Sequence, residues 1–183
     1  GGYPIKEAEN WQSGFLPGAF QGTYIDSQHN KLEKLIENIR NSTTSLADQR
    51  RQLDLLHDLN ADFAAKREED AKLEARMQSF ELAYRMQMEV PDVIDLKGEP
   101  EAMHEMYGLN NKDTAAFGRQ CLLARRLIER GVRFVQLYDT NWDHHGGPTE
   151  NLEKHMPLKC ADIDRSCAAL VKDLKARGLP FKE

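Results

Sequence analysis

The run Val132–Tyr138, β-branched and aromatic, follows directly on a glycine that ends an apolar-periodic helix. A helix, a tight turn and a short apolar run make up the repeating element of an α/β sheet, and this junction constrains the fold more than any other part of the chain. It predicts a buried strand over 132–138. One strand cannot make a sheet, so its partners are expected outside this chain or in another copy. The expected class is therefore α/β and helix-rich. The strand runs into Asp143, His144, His145 and the turn Gly146-Gly147, and open α/β sheets bind ligands beyond the carboxyl ends of their strands.

Helical periodicity dominates the rest. Leu53, Leu56, Leu59 and Phe63, then Leu73, Met77, Phe80, Tyr84 and Met88, recur at spacings of three or four, predicting two amphipathic helices or one long kinked one over 46–90. Pro91 is expected to end this region. The charged, alanine-rich segment 64–72 reads as a solvated helical face. A connector follows to Asn111 with one helical turn near 101–106. Asp113 or Thr114 is then placed to cap a helix that Gly131 closes. A last helix is expected over about 155–177, with Ile163, Cys167, Leu170, Val171 and Leu174 on one face.

Three regions result. Residues 1–45 form an irregular arm of aromatics, glycines and prolines. Residues 46–111 are a helical region and connector, and 112–183 a helix, strand, turn and helix that carry the candidate metal corner. All three read as parts of one larger domain. The aromatic, uncapped start and an end where a return strand should begin give the expectation of a segment from the middle of a longer protein.

The 183 residues suffice for a buried core. A net charge of -5 with basic residues scattered among acids speaks against nucleic-acid binding, which calls for a concentrated basic face. No apolar run approaches the roughly 20 residues that span a bilayer. Cys121, Cys160 and Cys167 lack Cys-x-x-Cys spacing and read as buried free thiols.

Carboxylate and imidazole suit zinc, and carboxylate suits harder cations such as calcium. Alternate residues of an extended chain share a face, so Asp143 and His145 converge while His144 turns away. Gly146 and Gly147 leave room for a ligand. Two ligands fall short of the three a catalytic zinc generally takes from protein. An Asp-His-His turn is, on spacing alone, more often a hydrogen-bonded turn than a metal site. Trp142 is a candidate pocket wall and substrate contact, though packing is the commoner role for such a side chain. Asp139 is a candidate further ligand or acid/base group, a capping or turn carboxylate being the commoner role, and His29, His57, His104 and His155 read as surface or capping residues. Arg125 and Arg126 are candidates for an anionic substrate, salt bridging being the commoner use.

The run Cys121–Tyr138, followed by Trp142-Asp143-His144-His145-Gly146, closely resembles bacterial domain-of-unknown-function family 1501, whose members are often labelled sulfatase-like. Ser13–Pro17 with Gln21-Gly22, Phe80–Gln87 and Ala168–Leu179 extend the resemblance in family order. It implies an alkaline phosphatase-like fold, with a central sheet flanked by helices and a metal-dependent hydrolytic site along one edge. By the same resemblance Asp143 and His145 map to metal-ligand positions, with His144 a further candidate. The implied substrate is a small-molecule or glycan sulfate or phosphate ester, and the implied location of the parent is periplasmic or cell-surface. The family's first strand with its metal-binding aspartate and nucleophile region, and its later Gly-Glu-Phe-Gly-Arg and Gly-Arg-Asp-His-His motifs, have no counterpart here. An incomplete site is therefore expected, with the nucleophile unassigned. The alternative is a non-enzymatic helical module that binds a partner or self-associates through open edges.

Overall fold

Helices α1 (Leu32–Leu35), α2 (Leu46–Ala64), α3 (Ala71–Ile94), α4 (Glu101–Tyr107), α5 (Ala115–Glu129) and α6 (Leu152–Ala176) are the main elements of the computed structural model. It describes residues 22–27, 29, 31–36, 39–64, 71–148 and 151–179. The N-terminal aromatics Trp11, Phe15 and Phe20, most of the charged run 64–72 and the last four residues lie outside the described residues. Two compact units separate between Asp92 and Val93.

In the first unit, α2 and α3 form as two helices, but Leu59, Phe80 and Met88 of the expected apolar faces are exposed. Ser45 opens α2: its hydroxyl accepts from the Asp48 backbone N–H at 3.1 Å and donates to the Asp48 carboxylate at 2.6 Å, a capping arrangement. Arg50 of α2 reaches both carboxylate oxygens of Glu81 on α3, at 2.9 and 3.0 Å, and lies 5.2 Å from the Tyr84 ring centre. That fork and cation–π contact tie the two helices together. Pro91 does not end α3, which runs on to Ile94. The missing amide costs one hydrogen bond, but Val90, Val93 and Ile94 are buried around it, and burying such side chains is worth roughly 1.5–3 kcal/mol each.

The second unit is built on α5, which packs chiefly on α6, with α4 against both. Tyr107, Cys121, Leu122 and Ser166 are fully buried at their junction. The backbone carbonyl of Tyr107 sits so close to α5 that a Cβ on Gly118 would lie 2.2 Å from its oxygen, and Ser166 of α6 donates its hydroxyl to the same carbonyl at 3.0 Å. These two contacts, one through a glycine and one through a serine, let three helices meet. Tyr107 also donates its hydroxyl to Asp173 of α6 at 2.9 Å.

The expected α/β architecture is not formed: the described residues are mostly helical and contain no strand or sheet. The α5 terminus forms as expected. Gly131 takes φ +86°, Val132 donates to the Leu127 carbonyl at 3.0 Å and Gly131 to Ile128 at 2.9 Å, a Schellman closure. Residues 132–140 then belong to no helix or strand, and the described residues hold no strand for them to pair with. A strand is a pairing, and side-chain composition without a partner does not make one. Phe134, expected in a core, is 80% exposed.

Two further expectations are corrected. Thr114 does not cap α5 with its side chain; it is buried and donates its hydroxyl to the Gly108 carbonyl at 2.6 Å, tying α5 back to the end of α4. Among the thiols only Cys121 is buried, which pushes its pKa up to about 12, while Cys160 and Cys167 are exposed. The buried face of α6 carries Ser166, Ala169, Asp173 and Leu174 instead of Cys167.

Candidate metal corner

The loop from Val132 to Pro148 carries the site. Asn141 has φ 67°, the one positive value among described non-glycine residues, and Asn tolerates that left-handed conformation better than most. The kink lies two residues before Asp143. His145 Nε2 lies 2.8 Å from Asp143 Oδ2, so the two alternate residues do converge, with side chains 72% and 82% exposed. Because a carboxylate oxygen only accepts, the imidazole donates in this contact. Both groups lie open to solvent, and His145 Nε2 would have to give up the proton it donates to Asp143 before it could take a cation. Among the described residues no group of three or more His, Cys, Asp or Glu side chains is arranged to hold a metal. Carboxylate and imidazole are residue types that suit a divalent cation.

Trp142 is held beside this pair. Its indole N–H donates to Asp139 Oδ2 at 2.8 Å, and Lys159 of α6 lies 5.8 Å from its ring centre. Lys159 also pairs with Asp139 at 3.0 Å and with Asp162 at 3.3 Å. Burial works against the Lys159 ammonium, but the hydrogen bond and charge of Asp139, seconded by Asp162, outweigh it and raise its pKa. Asp139 is thus more than a turn carboxylate: it fastens the loop to α6.

His144 lies against His155 of α6. Its ring centre stands 5.9 Å from that of His155, with the planes 33° apart, and its Nε2 is buried without a hydrogen-bond partner. His155 Nδ1 lies 3.1 Å from the Asn151 carbonyl. Asn151 caps α6, its side-chain oxygen accepting from the Lys154 amide at 2.9 Å. His155 and Lys159 are one turn apart on α6, a spacing that could have marked them as a shared face, but nothing in the sequence links that face to a loop eleven residues upstream.

Arg125 and Arg126 do not serve the loop. Both clamp the buried carboxylate of Glu99, and Arg126 Nε donates to the Val93 carbonyl at 2.7 Å. Of the remaining histidines, His104 Nε2 lies 3.1 Å from the Leu96 carbonyl, His29 lies 3.7 Å from Asp26, and His57 is exposed on α2.

The family model described as "Protein of unknown function (DUF1501)" matches residues 1–180. The chain belongs to that family. No curated protein and no solved structure matches it. Across the described residues of this DUF1501 chain, no helix is long and apolar enough to cross a membrane.

Proposed function

We propose that this DUF1501 chain contributes part of a divalent-metal centre for hydrolysis of sulfate or phosphate esters, the sulfatase-like reading of the family. The supporting observation is the convergence of Asp143 Oδ2 and His145 Nε2 at 2.8 Å on an exposed, kinked loop beside a fixed tryptophan. A zinc or calcium ion there would polarise the ester oxygens. Asp143 and His145 would orient it, with Trp142 as a wall against the substrate. The remaining ligands and the nucleophile would come from elsewhere in a longer, exported parent acting in the periplasm or at the cell surface. The reading rests on donor chemistry and on the resemblance of the Trp142–Gly146 motif, and no sheet is needed for it.

Metal content and hydrolysis of aryl sulfate and phosphate esters, measured on the full-length natural protein with and without Asp143→Ala, test the reading. Loss of one bound ion and of roughly a hundredfold or more in rate is expected, since the metal acts on the reacting centre directly. Metal content unchanged in the variant would remove Asp143 from the ligand set.

A second reading is favoured by one observation. Phe134, four-fifths exposed in a segment that belongs to no helix or strand, suits self-association through that segment.

A further inference from the structure

We infer that His144 and His155 form a separate, imidazole-only site for a borderline transition-metal dication such as zinc or copper(II). The pair is distinct from Asp143 and His145 and stands independently of the hydrolytic reading. Three features converge on it. A carbonyl oxygen only accepts, so His155 must donate Nδ1–H to Asn151, which leaves Nε2 with its lone pair free. That is the arrangement by which metal-bound histidines are usually oriented, with the far ring nitrogen tied to a backbone carbonyl. The carbonyl is itself fixed, since Asn151 is the N-cap of α6.

On the other side of the pair, His144 keeps a buried Nε2 that nothing satisfies. A tilted ring contact alone would leave that nitrogen unpaired, whereas a bound ion would use it. The separation also fits. With nitrogen–metal bonds of about 2.0–2.1 Å, each ring centre lies about 3.2 Å from a shared ion, so two arms span about 5.2 Å at a tetrahedral angle and at most about 6.4 Å in line. The observed 5.9 Å falls within that range.

The surrounding charges permit a cation. Lys159, one turn beyond His155, is neutralised by Asp139 and Asp162. Neutral nitrogen ligands favour zinc or copper over calcium or magnesium.

Zinc titrated into the purified chain against a chromophoric chelator tests the site. His144→Gln and His155→Gln are each expected to weaken binding by roughly tenfold or more, while Asp143→Asn with His145→Gln leaves it in place. In the unaltered chain, substoichiometric copper(II) should broaden the ring-proton resonances of His144 and His155 before those of His145. That second measurement does not depend on a variant folding. Zinc affinity unchanged in both glutamine variants overturns the inference. So does equal loss in the Asp143/His145 variant, or broadening that begins at His145.

Discussion

Glu99 is the residue on which the charged centre of the second unit turns. Its carboxylate is almost fully buried and receives both Arg125 and Arg126, while Arg125 extends the network to Glu129 and lies 3.4 Å from Asp173. Burial by itself would push Glu99 up, but hydrogen bonds and charge from Arg126 and Arg125 outweigh it and hold the carboxyl below its ordinary 4.5. A carboxyl depressed in the folded state contributes stability above its unfolded value and loses it as pH falls through the folded one. The contribution is therefore complete above about pH 4.5 and fades below it. Glu99→Gln leaves two arginines short of their carboxylate, one of them buried, at a cost near the lower end of about 3–5 kcal/mol because Glu129 and Asp173 remain. Urea midpoints of the parent and the variant, taken from about pH 7 to about pH 3, should converge as pH falls. A gap that stays constant over that range would mean that Glu99 does not titrate with folding.

Among the elements, the α4–α5–α6 junction depends on the absence of a side chain at Gly118. A Cβ there meets a backbone carbonyl, which cannot swing aside as a side-chain tip could. Gly118→Ala gains up to about 1 kcal/mol in helix propensity, but forcing the helices apart costs about 1–3 kcal/mol or more, so net destabilisation is expected. Gly98, with nothing within 4 Å of the corresponding position, is the control, and its alanine variant should stay within about 0.5 kcal/mol. Equal thermal midpoints for the two variants would count against the close approach at Gly118. The existence of these helices was legible in the spacing of leucines and aromatics, and so was the closure at Gly131. The buried face of α6 was not, because Ser166 and Asp173 are accommodated by Tyr107, about sixty residues away in sequence. Val132–Tyr138 misled for a related reason: its composition suits a strand, but pairing is a long-range property that composition does not carry. At the loop, alternation was enough to bring Asp143 to His145. The meeting of His144 with His155 required α6 to fold back beside the loop.

For the molecule as a whole, the exposed apolar surface bears on its state in solution. Single exposed leucines such as Leu55 and Leu59 on α2 are ordinary for a helical protein. Phe134 differs, because it is 80% exposed in a segment that belongs to no helix or strand. A second copy of this chain presents the same segment, and two such segments can pair antiparallel about a twofold axis. The net charge of -5 spread over 183 residues opposes this only weakly at physiological salt, where screening acts within about 8 Å. Light scattering after size exclusion should give a mass that rises with concentration for the parent and stays monomeric for Phe134→Asp, since a carboxylate buried at the pairing edge is penalised. Exposed Leu55→Asp on α2 is the matching control and should leave the parent's behaviour unchanged. A parent that remains monomeric over the whole concentration range would reject self-association through this segment, and equal effects of the two substitutions would place it elsewhere.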